Sequence, residues 1–416
     1  MNTVSAPPVY DDGLARRNAF TLAAAQSFGG ATPVVNVATG GLIGHHLLGP
    51  DKSLATLPVT MFVLGTALGT IPAALLMARI GRRNGFIFGA CLAIFGMLLS
   101  AWSIPAQNFW GFCFGTFLAG VSSAFVQQYR FAAADTASPA FSPKAISWVM
   151  TGGIVAAIIG PQTVIYTRDL IATDIYAGTY IAAAALNLIS ILILTRVKIS
   201  KEPRAISRQG GRPLFEIITQ PRFMVAVICA IVTYSVMSFV MTATPLAMIA
   251  CSHSQNEAAW AIQWHVLGMF VPSFFTGSLI ARFGKETIMA TGMILLAACG
   301  VIALSGVDVL HFWIALVLLG VGWNFGFIGA TSMVTECYRP EEKIRVQATN
   351  DFLVFGFVAM GSFSAGKVLS AYSVDGELNA AGWFAINWTI LPVLAASLIL
   401  LATFSWSRLG KSSISN

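Results

Sequence analysis

Two short basic loops, Ala78-Arg-Ile-Gly-Arg-Arg83 and Ala281-Arg-Phe-Gly-Lys-Glu286, lie about 203 residues apart in a chain of 416, each wedged between two long apolar runs. A soluble domain has no use for such a pair. A membrane bundle made of two repeated halves does, because each half would place the same loop between the same two helices.

Composition names the solvent. The chain is 56% hydrophobic and 10% charged, with mean hydropathy +0.76, whereas a globular chain carries about 25% charged residues. Most of this protein is therefore expected to face lipid. A helix needs roughly 20 apolar residues to cross the hydrocarbon core, and twelve runs reach that length. Six lie near Asn18–Ile43, Leu54–Met77, Gly85–Ser103, Asn108–Ala134, Ala145–Thr167 and Ile175–Thr195. Six more lie near Phe223–Ala250, Ala259–Ala281, Thr287–Ser305, Leu310–Glu336, Val346–Ser370 and Ala381–Trp406. The strands of a membrane barrel alternate with period two; these runs are apolar on all sides, so the predicted fold class is all-α and polytopic.

The expected organisation is a cytoplasmic tail over 1–17, a six-helix half over 18–196, a polar linker over 197–220, a second half over 221–407 and a tail over 408–416. The first run follows Arg16-Arg17 and is too long for the apolar core of a cleaved signal, so it is expected to stay as an anchor. Loops rich in Lys and Arg remain cytoplasmic. With both termini inside, all 24 Lys and Arg lie in or beside cytoplasmic segments except Lys52, Arg168 and Lys367. The net charge of +7 is thus a topology signal, with no nucleic-acid partner implied. The six cysteines form no C-x-x-C pair and read as buried small residues, not as a metal site or a disulfide framework. No phosphate loop, zinc-ligand spacing, nucleophile elbow or dinucleotide fingerprint stands in a suitable context, so neither an enzyme nor a resident cofactor is expected.

The halves echo each other beyond the loops. Leu118-Ala-Gly-Val121 returns as Leu318-Leu-Gly-Val321, and Asp135 after the fourth run returns as Glu336 after the tenth. With these residues, twelve spans and a basic central loop, the chain resembles the major facilitator superfamily of secondary transporters. Arg79, Gly81, Arg82 and Arg83, and then Arg282, Gly284 and Lys285, match the family's loop motif G-x-x-x-D-R-x-G-R-[RK]. The resemblance implies two parallel repeats around a central cavity, working by alternating access, the default assembly being a monomer. Where the motif places its Asp this chain has Ala78 and Ala281, so a cytoplasmic latch would draw on other acids. The pairs expected when the cytoplasmic side is closed are Asp135 with Arg79 or Arg83, and Glu336 with Arg282 or Lys285.

A polar residue inside a span needs a partner or a water-filled cavity, which makes a short set of candidates for substrate contact. They are Gln26 and Asn36 in the first run, Gln127 and Gln128 in the fourth, Tyr234 in the seventh, Trp264 in the eighth, and Trp323, Asn324 and Phe327 in the tenth. Two readings stand for Asn324, a ligand contact beside aromatic rings and a glue between helices. Arg130 is read either as a cavity residue or as a side chain snorkelling to the interface. His265 is the candidate for a coupled proton. No carboxylate is expected at mid-depth, Asp351 included, which favours a neutral or weakly anionic solute.

Gly160-Pro161 partly matches an exporter motif, and glycine-mediated helix packing explains it as well. Gln127-Gln-Tyr-Arg-Phe-Ala-Ala-Ala-Asp135 and Ile146-Ser-Trp-Val-Met150 are similar to a bacterial branch of the superfamily that includes riboflavin-uptake transporters. That resemblance implies a flavin as substrate and the bacterial inner membrane as location. A flavin ring would stack on Trp323, Phe327 or Trp264, and its imide edge and hydroxyls would need amides such as Asn324, Gln127 and Asn36. The rival is a proton-coupled multidrug or metabolite exporter.

Overall fold

A computed structural model describes residues 11–49, 51–134, 137–138, 141–171, 173–198, 211–373 and 378–412. Among them the chain is helical throughout, without strands. The first half holds α1 (Asp12–Gly29), α2 (Ala31–Leu47), α3 (Leu57–Ile80), α4 (Arg82–Ser103), α5 (Phe109–Val126), α6 (Tyr129–Ala134), α7 (Ser142–Thr167) and α8 (Ala177–Leu194). The short α9 (Leu214–Ile218) leads into α10 (Pro221–Ala250), α11 (Gln255–Phe270), α12 (Ser273–Phe283), α13 (Lys285–Ser305), α14 (Val309–Val334), α15 (Lys343–Ala371) and α16 (Ala380–Ser412).

Among the described residues ten helices are long and apolar enough to span, and the pair α11 and α12, bent by 43°, makes an eleventh. The rod α1–α2, of eighteen and seventeen residues joined at Gly30, stands where the first of the twelve spans is expected. Both breaks follow from proline. Pro33 and Pro272 lack the N–H that would bond the carbonyl four residues earlier, so the helix is interrupted one turn before Pro33 and at Pro272.

Packing agrees with a lipid surround. The spanning windows are only 33% to 67% buried, and Trp102, Trp110, Leu192, Trp388 and Ile399 point outward, each at least 60% exposed. Water would not tolerate so continuous an apolar surface. α10 is the most buried span and α16 the least, as expected of a central and a peripheral helix.

The repeat is visible in backbone geometry. Gly81 and Gly284 close α3 and α12 at φ 85°, ψ 155° and φ 85°, ψ 159°. That region is costly for a residue with a Cβ, so the glycine of each basic loop is a conformational requirement. Gly120 lies against the backbone of Phe62, and Gly320 against that of His265. The same close crossing of two spans is thus built twice, and His265 takes in the second half the place that Phe62 takes in the first.

The last part of the linker expected over 197–220 is docked against the second half. Glu342, 1% exposed, lies in a 3₁₀ turn (Pro340–Glu342). Its carboxylate accepts hydrogen bonds from the Arg212 backbone N–H (2.7 Å), from Arg212 Nε (3.1 Å) and Nη2 (2.9 Å), and from the Arg339 N–H (2.9 Å). The Arg212 guanidinium, and then the Arg339 N–H, hold the Glu342 carboxyl at about 2, below its ordinary value near 4.5. A depressed folded-state value means that the clasp contributes fully above the ordinary value and loses its contribution as pH falls toward 2. The difference in melting temperature between the wild type and Glu342→Gln is therefore expected to stay constant from pH 8 to 5. It should narrow in thermal scans below pH 4.

Candidate functional site

Between the halves lies a cavity of about 300 Å³, at the small end of the range for organic ligands. The named contacts between halves lie at mid-depth or on the face away from the termini. Thr60 Oγ1 donates to Ser362 Oγ (3.2 Å), Gln162 Nε2 donates to Gln263 Oε1 (2.9 Å), and Gly41 packs against Leu246. Toward the face that carries the termini, the cavity reaches Gln127 and Arg130 on one side and Asp351 on the other.

One wall is aromatic. The rings of Trp323 and Phe327, one helical turn apart on α14, stack with centroids 5.2 Å apart and an interplanar angle of 17°. Tyr234 on α10 meets Trp323, Phe327 and Phe355 edge-on at 5.2, 5.1 and 5.4 Å. All four line the cavity. The Trp323 indole N–H is buried without a partner, so the wall also has a donor to spend. Gln26 from α1 and Gln127 from the turn after α5 contribute amides to the lining on the other half.

Of the residues expected to touch a substrate, the structure gathers Gln26, Gln127, Tyr234, Trp323 and Phe327 around this space, and places four elsewhere. Trp264 points outward, 43% exposed, so it belongs to the lipid-facing surface. Gln128 does not reach the cavity lining. Asn36 is fully buried beside Gly40, its amide unpartnered and outside the lining. Asn324 is fully buried and fully used: Nδ2 donates to the Met269 carbonyl (2.6 Å) and to Ser273 Oγ (2.7 Å), while Oδ1 accepts from Thr276 Oγ1 (2.6 Å). Met269 is one of the carbonyls released where Pro272 interrupts the span. The glue reading of Asn324 therefore describes its place, and the physical reason is that the broken backbone needs the amide.

His265, 1% exposed, does line the cavity. Its Nδ1 lies 2.9 Å from the Leu316 carbonyl, which assigns the proton to that nitrogen and leaves Nε2 a buried acceptor without a partner.

Sequence reasoning set two cavity residues aside. Asp351, which the sequence places toward the cytoplasmic end of its span, and Arg130, for which two readings stand, both line the cavity, from opposite halves. The chain tightens after α5, where the Gln128 N–H bonds the Phe125 carbonyl three residues back (3.1 Å). Tyr129 is then buried against Phe86 (centroids 4.7 Å), and the turn carries Arg130 to the cavity. Phe355 was missed outright. The available signal was its place one turn after Asp351 on a single helix face, together with the rule that a carboxylate inside a span marks a site.

A model of the Major Facilitator Superfamily matches the chain twice, over residues 18–250 and 226–415. The chain belongs to this superfamily. It is 48% identical over 394 residues to the riboflavin transporter RfnT of Brucella anthropi, covering 94% of this chain and 96% of that protein. It is 28% identical to the uncharacterized MFS-type transporter YddS of Bacillus subtilis over 96% of this chain and 92% of the other. Crystal structures of the nucleoside transporter NupG share the fold, with a TM-score of 0.70 at 13% identity over 93% of this chain and 98% of that one. A superfamily member is a multi-pass membrane transporter and not an enzyme.

The basic loops of this superfamily member meet their acids in part. Glu336, after α14, is ion-paired with Lys285 at the start of α13 and also with Arg222 at the start of α10, which in turn lies 3.9 Å from Glu286. Arg282 instead lies over the Phe283 ring. These pairs tie three helices of the second half together and do not cross between halves. In the first half, Arg79 and Arg83 are exposed and Arg82 is half-buried and engaged, while Asp135 lies outside the described residues. Gly160 packs α7 against α2, where a Cβ would stand 2.7 Å from Val34 Cβ, and Pro161 follows it inside α7. The three cations on the far face are also employed: Lys52 Nζ donates to the His45 and Leu48 carbonyls, Arg168 pairs with Asp169, and Lys367 lies over Phe363.

Proposed function

We propose that this protein carries riboflavin into the cell across the bacterial inner membrane by alternating access, as a monomer with both termini in the cytoplasm. The observation that carries this reading is the aromatic wall of Trp323, Phe327, Tyr234 and Phe355, in a chain 48% identical to a protein named as a riboflavin transporter. A flat tricyclic ring gains about 0.5–1.5 kcal/mol per aromatic partner beyond the area it buries. Gln26, Gln127 and the Trp323 N–H supply the dispersed donors and acceptors that a polyhydroxylated chain needs. In this orientation the cavity reaches toward the cytoplasm and is closed toward the outside, which corresponds to the release stage of uptake. His265 is the group placed to carry a coupled proton. Gly160, the residue that suggests export, is accounted for by its contact with Val34.

The test is growth and labelled-flavin accumulation by a bacterial riboflavin auxotroph without an importer, supplied with micromolar riboflavin. Rescue by the wild-type chain is expected. Trp323→Ala should raise KM about tenfold, the loss of one stacking partner at roughly 1.4 kcal/mol, with the amount of inserted protein unchanged. No accumulation by a well-inserted wild-type protein overturns the riboflavin reading.

A further inference from the structure

Arg130 and Asp351 face each other from opposite halves at one end of the cavity, close enough to couple electrostatically with each other and with Tyr234. No direct ion pair joins them among the described residues. The Arg130 Nε–H is buried without a hydrogen-bond partner, and its guanidinium rests over the Phe131 ring at 4.8 Å. The hydrogen bond that Asp351 receives comes from its own neighbour, Asn350 Nδ2 (3.0 Å). A guanidinium has only donors to offer and a carboxylate only acceptors. Held apart in a low-dielectric site, each is left with unspent hydrogen-bonding capacity that is expensive to bury. Tyr234, which meets the Trp323 and Phe327 rings edge-on, is also the ring coupled to this pair, so the pair and the aromatic wall belong to one cavity.

We propose that Arg130 and Asp351 together read a cyclic imide edge. Such an edge runs carbonyl, N–H, carbonyl: Arg130 donates to a carbonyl oxygen and the Asp351 carboxylate accepts from the imide N–H. The ligand completes, from one half to the other, a bridge that the two side chains do not make alone. The assignment rests on the riboflavin reading and deepens it, since the isoalloxazine ring ends in this group. It also replaces Asn324 and Asn36 as the imide readers, because neither reaches the cavity. Both ends of the clamp are charged, and hydrogen bonds of that kind are about twice as strong as neutral ones. The pair therefore sets specificity for the edge, while the aromatic wall supplies affinity that any flat ring would share.

The test compares riboflavin with 3-methylriboflavin, in which a methyl group replaces the imide hydrogen, by quenching of flavin fluorescence on the purified full-length chain in lipid nanodiscs. Wild-type protein is expected to bind the methylated flavin about ten- to a hundredfold more weakly, the range for a buried acceptor deprived of its donor. Asp351→Ala should remove the discrimination between the two flavins, since the acceptor that only riboflavin satisfies is gone, and a monodisperse peak in detergent certifies the fold of the variant. Arg130→Gln should weaken both ligands by the same factor. Asp351→Asn, which keeps the shape and loses the charge, should narrow the discrimination several-fold. Equal binding of the two flavins by the wild type, or discrimination that survives in Asp351→Ala, overturns the clamp and leaves the riboflavin reading standing. Binding of neither flavin by the wild type overturns both.

Discussion

Valine at Gly120 is expected to prevent the first half from assembling, and valine at Gly320 to do the same to the second. A Cβ on Gly120 would run into the Phe62 carbonyl, and one on Gly320 into the His265 carbonyl. Ordinary overpacking costs about 1–3 kcal/mol because side chains can move. Here the obstacle is backbone, so relief requires one span to shift away from another along its length, at a cost well above that range. The expected result is loss of the monodisperse peak in detergent and of the cooperative melting transition for both variants. Gly277→Ala and Gly356→Ala, where nothing stands within 4 Å of an added Cβ, should behave as wild type. A well-folded Gly120→Val protein would mean that the two spans do not cross as closely as described.

The second large effect concerns Asn324. Alanine there removes the donor to the Met269 carbonyl and the partners of Ser273 and Thr276. The single proton of the Thr276 hydroxyl, shared between Asn324 Oδ1 and the Pro272 carbonyl, can then go wholly to the carbonyl, so Thr276 loses little; the Met269 carbonyl is left buried and unmet. The cost should be about 1–3 kcal/mol of stability, seen as a lower melting temperature and a smaller yield. The protein that does fold should retain wild-type KM, since Asn324 does not line the cavity. A raised KM with unchanged stability would return Asn324 to the substrate site. Trp323→Ala is expected to show the opposite pattern, so the two neighbours on α14 separate holding the break from holding the ligand.

The residues legible in the sequence were those whose role depends on local pattern. Apolar runs of spanning length set the helices, because only a helix satisfies every backbone group in lipid without help from elsewhere. The glycines of the two basic loops followed from repetition, and their matching backbone torsions give that repetition its physical content. Aromatic spacing on α14 likewise placed Trp323 and Phe327 together, since residues four apart share a helix face.

Other properties were not local. Trp264 and His265 are neighbours in sequence, yet one faces outward and the other lines the cavity, because packing of α11 against α14 fixes which side is inside. The two readings of Asn324 are separated only by the break at Pro272, which presents the Met269 carbonyl to its amide. Arg130 and Asp351, far apart in the chain and both near span ends, become a site only because the tightened turn before Tyr129 and the meeting of the two halves bring them to one cavity. By itself, then, the sequence determined the solvent, the spans, the repeat and half of an aromatic wall, all consequences of backbone satisfaction and helical periodicity. Only the tertiary structure decided which polar groups are spent on the protein's own breaks and crossings and which remain to meet a ligand, because that depends on partners drawn from distant helices.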